Sequence, residues 1–382
     1  MAGAAWIMSN IMDNINPLVS ILITTYNRSD VLQRAIRSVL SQSLTDFELV
    51  IIDDCSTDDT PVVIQTFDDT RIRYIRNETN IGSLKGDRAH VRRFIYELMR
   101  GTYFVYLCDD DYWLSSTLLE RQVDAFNTYD NLAMVVGGQL SYFIDPAQDI
   151  APIEIEKIPH ISYHDRHKVP LPPTLFLTRL YDKFYMTSEE FLSTFAADPI
   201  SRNIIAGATM YSKARFIEAG AMSSEQGSKW QAGYELSMGP ACCGDVVYFD
   251  EPAILVEVRP TNASFGGTQI EHYFDCMTSI RNAFSIPLAK AKASRKNTLI
   301  KIKQEAIKNV TRAFLINTLT IKMHGQLTAC DQKNTAQFVK LRHASYHFLI
   351  NIILPNLNDL KYFILVLLPS RAIKHITKGI LY

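Results

Sequence analysis

Asp109, Asp110 and Asp111 stand in a row directly after the apolar run 103–107 (Tyr-Phe-Val-Tyr-Leu) and Cys108, and Tyr112 and Trp113 follow them. Three adjacent carboxylates repel one another unless something positive sits among them. Mg²⁺ and Mn²⁺ prefer oxygen ligands and leave coordination positions to substrate phosphates, so this is where a divalent cation and a diphosphate could meet. A plainer reading makes Asp111 the cap of a helix predicted over residues 114–126.

The elements that must position the triplet support the first reading. Residues 18–25 form a short β-branched apolar run bounded by Pro17 and by Tyr26 and Asn27, which predicts a buried parallel strand. Ser29 or Asp30 then caps a helix whose apolar positions, Val31, Leu32, Ala35, Ile36, Val39 and Leu40, recur at helical spacing. A second strand over 47–52 ends at Asp53 and Asp54. A helix near 58–67, a strand at 72–75, a helix at 88–99 and the strand at 103–107 continue the alternation. Such alternation predicts an α/β fold, a mostly parallel mixed sheet with helices on both faces. In sheets of this kind ligands bind outside the carboxyl ends of the strands. Residues 24–27, Asp53 with Asp54, and the acidic triplet all fall at such ends.

Charge and composition narrow the partners. The 382 residues hold 39 Lys and Arg against 40 Asp and Glu, a formal charge of -1, so nothing draws the chain as a whole to nucleic acid and no nucleic-acid partner is expected. The length predicts a core domain with an appended one. The six cysteines show no C-x-x-C spacing, and the adjacent Cys242 and Cys243 are poorly placed to bridge each other. They read as reduced thiols. Residues 1–16 lack the basic flank and long apolar stretch of an export signal. A cytoplasmic protein is expected.

Three segments carry a further signal in their order and spacing: residues 19–28 (Val-Ser-Ile-Leu-Ile-Thr-Thr-Tyr-Asn-Arg), residues 50–60 (Val-Ile-Ile-Asp-Asp-Cys-Ser-Thr-Asp-Asp-Thr) and the triplet 109–111. Together they resemble glycosyltransferase family 2, the inverting nucleotide-sugar transferases with an A-type fold. The resemblance covers roughly 17–264. It implies that Thr24, Tyr26 and Asp54 hold the nucleoside. The residue chemistry agrees, since a tyrosine face stacks on a base and a carboxylate accepts an N–H from a uracil or guanine edge. Asp53 is read as the brace of its turn. By the same resemblance Asp110 binds the cation, Mn²⁺ or Mg²⁺, Asp111 supports it through a bound water, and Asp109 contacts ribose or diphosphate. Cys108 stands where the family places its first aspartate, and a hard cation disfavours a thiol.

The diphosphate has Arg88 or Arg92 as cationic partners, four residues apart on one helix face, with Lys85 as a third candidate. Arg259 occupies a position the family usually gives to histidine and could clamp the diphosphate in bidentate fashion. Counting back from Asp250-Glu251-Pro252 puts Gly233 where the family has its catalytic base, and glycine cannot take a proton. Glu235, the family's second acidic position, is the remaining carboxylate for that role. The resulting expectation is a metal-dependent inverting transferase. It would move a sugar from a nucleoside-diphosphate sugar, most simply a UDP-sugar, to a hydroxyl of a glycan, lipid-linked glycan or surface-polysaccharide acceptor. The alternative, motivated by Gly233, is a transferase-like module that binds nucleotide sugar or glycan without turnover.

Residues 17–265 are therefore expected to form the catalytic domain. Within it, 141–200 is an irregular insertion rich in aromatics, histidines and prolines that could act as an acceptor lid. Residues 266–382 form a basic, amphipathic helical extension, in which Glu305 is the lone acid among the cations between 282 and 312. The runs 348–354 and 362–368 are too short to span a bilayer as helices. With their basic flanks they suit helices lying on an anionic membrane face, giving peripheral contact, or a helical subdomain packed on the core.

Overall fold

The computed structural model describes residues 16–82, 86–143, 175–178, 184–199, 206–224, 233–258 and 269–324. Strand β1, Val19–Thr25, is buried at every position, as a strand in the middle of a sheet covered on both faces must be. Helix α1, Ser29–Leu40, turns Val31, Leu32, Ala35, Ile36 and Val39 inward. Strand β2, Phe47–Asp53, is again buried throughout. Helix α2, Thr60–Gln65, starts with Pro61 in its first turn, where a missing N–H costs nothing. Strand β3, Ile72–Arg76, is only half-buried, as befits the edge.

Helix α3, Gly86–Arg93, runs on into a π-helical turn, Phe94–Leu98, closed by the Met99 N–H donating to the Phe94 carbonyl at 2.8 Å. Then come β4, Tyr103–Cys108; β5, Tyr112–Trp113; α4, Leu118–Thr128; β6, Leu132–Phe143; β7, Leu175–Thr178; β8, Tyr185–Met186; and α5, Ser188–Ala197. A 3₁₀ turn, Ala206–Ala208, leads into β9, Thr209–Ser212, and α6, Lys213–Ala219. Helix α7 is Gly233–Ala241, β10 is Asp245–Val258, and two long helices follow, α8, Gln269–Lys290, and α9, Ala293–His324.

The strands make one sheet in the order β3-β2-β1-β4-β9-β6-β10-β5, with β7 on β6 and β8 on β10. The first four are parallel, and β6 and β10 are parallel to each other. Strand β9 runs against both β4 and β6. The expected mostly parallel mixed sheet with helices on both faces is present. Alternate residues feed two cores. Leu22, Val50, Phe104 and Tyr106 pack with Phe94, Phe216, Ile280, Phe284 and Val310, while Ile21, Ile23, Leu49, Ile51 and Leu107 pack with Leu32, Ile36 and Leu119.

Several local expectations differ from what forms. The helix expected over 114–126 begins only at Leu118, because Tyr112 and Trp113 pair with Leu255 and Ile254 of β10 first. The N-cap residue of that helix is Thr117, in place of the expected Asp111. Trp113 is fixed there by its indole N–H, which donates to the Gly207 carbonyl at 2.6 Å. Part of the segment read as irregular is regular: α5 opens on a complete capping box, Thr187 with Glu190. Strand β10 runs on through Asp250, Glu251 and Pro252 by way of register shifts against β6. The described part of the C-terminal extension packs on the core. Among the described residues no helix is long and apolar enough to cross a membrane. The runs 348–354 and 362–368 lie outside them.

Candidate functional site

The register of the central strands brings the three polar clusters to one edge. Thr24 pairs with Cys108 across β1 and β4, and Thr25 pairs with Asp53 across β1 and β2. Beyond the strand ends the tips are stitched together. The Asp54 N–H donates to the Thr25 carbonyl at 2.9 Å, the Asn27 N–H to Ser56 Oγ at 3.0 Å, and the Thr57 N–H to Asn27 Oδ1 at 2.7 Å. Asn27 (φ 52°) and Cys55 (φ 66°) both sit in the left-handed region. Non-glycine residues seldom adopt it, so both turns are held in an uncommon conformation. Arg28 ties the first tip to the third, its Nη1 lying 3.7 Å from Asp110 Oδ2.

At the second tip the two aspartates divide their work. Asp53 is fully buried, accepting from the Ser56 N–H at 2.8 Å and from the Tyr74 hydroxyl at 2.7 Å, so it braces its own turn. Asp54, the first residue past the end of β2, is also buried. Its carboxylate accepts from the Ile81 N–H (3.0 Å), the Asn77 amide (2.9 Å) and the Gly82 N–H (3.3 Å), and His90 Nε2 lies 3.3 Å away. Burial works to raise the Asp54 pKa. The donors of Ile81, Asn77 and Gly82 and the His90 charge outweigh it and hold the carboxyl below its usual range. Gly82 adopts φ 80°, which glycine supplies without strain and which turns its N–H onto Asp54. Tyr26 and Ile81 are among the few exposed large apolar side chains, at 44% and 43%, and the Ile81 N–H is one of the Asp54 donors. Thr24 is buried, with Oγ1 3.2 Å from the Tyr106 hydroxyl.

At the third tip the Asp111 N–H donates to the Cys108 carbonyl at 3.3 Å, closing a turn over 108–111. The turn folds three donor groups onto one another. Cys108 Sγ and carboxylate oxygens of Asp110 and Asp111 all lie within 4.8 Å, with Asp111 buried and the other two partly exposed. Two carboxylates at that spacing, one withdrawn from water, fit a divalent cation that bridges them and keeps outward positions open. Asp109 sits at the crest of the same turn, partly exposed.

Arg88 and Glu235 meet each other: Nη1 donates to Oε1 at 2.9 Å and Nη2 to Oε2 at 3.1 Å. Glu235 is 1% exposed, and Asn282 of α8 donates a third bond to Oε1 at 3.0 Å. Arg88 also donates to the Ser224 carbonyl at 2.9 Å. Arg92 lies one turn further along α3, near the Tyr96 phenol. Gly233 opens α7. Lys85 and Arg259 lie outside the described residues.

Four residues of this region were not singled out in the sequence: Arg28 against Asp110, and Asn77, Ile81 and His90 around Asp54. Only Gly82, following Asn80 and Ile81 before a helix, carried a local signal of a turn there.

Comparison with known proteins agrees with this geometry. Residues 20–186 match the family model described as glycosyl transferase family 2. Over 115 residues the chain is 36% identical to a putative teichuronic acid biosynthesis glycosyltransferase, TuaG, of Bacillus subtilis, covering 30% of this chain and 43% of that protein. Over 111 residues it is 36% identical to the UDP-Glc:alpha-D-GlcNAc-diphosphoundecaprenol beta-1,3-glucosyltransferase WfaP of Escherichia coli, covering 29% of this chain and 42% of that protein. The matched stretch thus spans about two fifths of these relatives' length. Among solved structures, S. aureus TarS residues 1–349 in complex with UDP superposes with a TM-score of 0.52 at 13% identity, covering 82% of this chain and 76% of that one. At that identity the similarity shows a shared fold.

Proposed function

Because residues 20–186 belong to glycosyl transferase family 2, we propose that the chain transfers a sugar from a nucleoside-diphosphate sugar, with inversion, to a hydroxyl of a glycan acceptor. The observation that carries this reading is the convergence of three strand tips on the Cys108, Asp110 and Asp111 cluster, stitched through Asn27 and Arg28. The base would stack on the exposed Tyr26 and offer an N–H to Asp54. Asp110 and Asp111 would hold Mn²⁺ or Mg²⁺, with Asp109 beside them for ribose or diphosphate. A cation there offsets charge developing on the leaving diphosphate.

UDP-sugar is the donor class we favour, since relatives such as WfaP are named for it. That name also gives a polyprenyl-diphosphate-linked sugar as its acceptor, and we extend the same acceptor class to this chain. Reaching a lipid-embedded acceptor would call for peripheral contact with a membrane on its cytoplasmic face. Any such contact would be made through the C-terminal region, residues 266–382, of which α8 and α9 up to Phe314 also contribute buried side chains to the core.

For the acceptor's proton, Glu235 is the carboxylate proposed from the sequence, and Arg88 is the proposed diphosphate partner. The two are joined in a bidentate ion pair. The roles are compatible if the donor diphosphate draws Arg88 away and leaves Glu235 to accept the proton. A second reading is favoured by the same bond: with Glu235 locked and Gly233 lacking a side chain, the domain would bind nucleotide sugar without turning it over.

The deciding experiment incubates the full chain with a panel of UDP-sugars, Mn²⁺ and a GlcNAc-diphosphoundecaprenol acceptor, alongside Asp110→Asn. Transfer that falls roughly 10²-fold or more in the variant, with unchanged circular dichroism, supports the enzyme. Metal-dependent UDP binding with neither transfer nor donor hydrolysis supports the binding module instead.

A further inference from the structure

Cys108 departs from the all-oxygen donor set that the cation site otherwise presents. Its backbone is locked in register with Thr24 of β1, and the turn closed by the Asp111 N–H aims its side chain at the two carboxylates. The three ligand atoms lie within 4.8 Å of one another, a separation that a single ion could bridge. Among the described residues this is the single group of three or more His, Cys, Asp or Glu side chains placed to hold a metal. The other described thiols have different surroundings. Cys242 is buried, burial pushes Cys276 up to about 12 and Cys243 up to about 11, and Cys55 donates to the Glu78 carbonyl at 3.6 Å. Among the described thiols, Cys108 alone combines partial exposure with two carboxylates across from its sulfur.

We propose that the Cys108 sulfur is a direct ligand of the cation held by Asp110 and Asp111, so that the site favours borderline and soft divalent ions over Mg²⁺. The inference deepens the metal reading above and rests on it. Sulfur binds as thiolate, so its proton leaves for solvent as the ion enters. A thiolate gains little from Mg²⁺, which holds its water shell tightly and selects oxygen. It gains much from Co²⁺, Zn²⁺ or Cd²⁺, and Mn²⁺ lies between. The consequence is a site whose metal choice is written in one side chain. Substitution by aspartate would turn it back toward hard ions.

The test reads coordination directly. Full-length wild type, Cys108→Ser, Cys108→Asp and Asp110→Asn are titrated with Co²⁺, alone and with UDP, and followed by absorption. Mn²⁺ binding is followed in parallel by electron paramagnetic resonance. The expected result is a near-ultraviolet thiolate-to-cobalt charge-transfer band in wild type, lost in Cys108→Ser and Cys108→Asp while both still bind Mn²⁺. Cys108→Asp should also shift the preference from Cd²⁺ toward Mg²⁺. Cobalt bound by wild type without that band, or with a band that survives in Cys108→Ser, overturns the sulfur ligand. If Asp110→Asn then abolishes binding, the carboxylate site still stands. Failure of wild type to bind Co²⁺ or Mn²⁺ under either condition overturns the metal reading, and this inference with it.

Discussion

Arg88 of α3 and Glu235 of α7 form a bidentate ion pair between residues 147 apart in sequence, with the carboxylate 1% exposed and the guanidinium side chain 12% exposed. Asn282 of α8 adds a third bond, and the Glu235 N–H donates to Ser279 Oγ at 3.2 Å, so one carboxylate fastens three helices. The Nε of Arg88 is buried and has no hydrogen-bond partner. The guanidinium thus retains a donor that a further acceptor could satisfy.

Breaking such a pair strands a charge in the interior, which costs about 3–5 kcal/mol. Glu235→Gln and Arg88→Gln are each expected to lose stability of that order. The double variant should lose clearly less than the sum, a coupling of about 1–3 kcal/mol, because it leaves neither charge unpaired. Urea denaturation of the four proteins measures the cycle. Additive losses would mean that the pair contributes nothing beyond its separate parts.

Asp54 is held ionised by the backbone donors of Ile81 and Gly82, by Asn77 and by His90, against the desolvation of its site. Its carboxyl lies below the usual value near 3.8, so its contribution to stability is complete above that pH and is lost as pH falls through the lower folded value. In the pH range 5 to 8 the carboxylate therefore keeps its charge. Asp54→Asn is expected to weaken UDP binding by roughly 10- to 100-fold, the worth of a hydrogen bond to a charged group. Calorimetry at pH 5.5 and 7.5 should return the same ratio at both.

Glu48 offers a second acid-sensitive fastening, at the opposite end of the strands. Burial raises its pKa. Bonds from the Ser20 hydroxyl, the Arg100 N–H and Arg73, together with the Arg73 charge, more than reverse this and bring it below the ordinary 4.5. The stability it supplies is present above about that pH and disappears as the solution is acidified through the lower folded value. Glu48→Gln is expected to cost about 2–4 kcal/mol at pH 7, less than for a fully buried pair because Arg73 and Arg100 keep access to water. It should also flatten the acid limb of a plot of stability against pH, which thermal unfolding between pH 3 and 7 would follow.

Much of the sheet was legible because its signals are local. The β-branched runs at β1, β2 and β4 and the 3.6-residue spacing in α1 each contain their own period, and all four elements form within a residue or two of where periodicity puts them. The start of α4 was not legible, because what delays it is a long-range pairing of Tyr112 and Trp113 with β10, 141 residues on in the case of Trp113 and Ile254. The same distinction holds at the site. The acidic turn and the Asp53 and Asp54 pair announce themselves by composition. The Arg28 to Asp110 contact, the donors around Asp54 and the engagement of Glu235 by Arg88 depend on tertiary approach, for which no spacing rule exists. A capping box, by contrast, can be read by eye, and Thr187 with Glu190 was the available sign that α5 interrupts the stretch expected to be irregular.

The two long helices at the end of the described chain bear on whether the C-terminal extension is an appendage or part of the same cooperative unit. Phe284 of α8 is fully buried in the cluster that also holds Phe104, Tyr211 and Phe216 of the sheet and its neighbouring helix. Gly220 ends α6 at φ 61°, and a side chain there would meet the Ile286 Cδ1 of α8 at 2.1 Å, so α8 lies directly on the glycine. Phe284→Ala is expected to cost about 3–5 kcal/mol. Gly220→Ala should cost more than the roughly 1–2 kcal/mol of its left-handed backbone alone, because Ile286 must also move. If the extension shares the core, each variant lowers the midpoint of a single transition seen identically by far-ultraviolet circular dichroism and by tryptophan fluorescence. Trp113, buried in β5, is one of the chain's three tryptophans and makes its share of the fluorescence a report on the sheet. A first transition that moves in circular dichroism alone, with the fluorescence midpoint unchanged, would instead make α8 and α9 a separate folding unit.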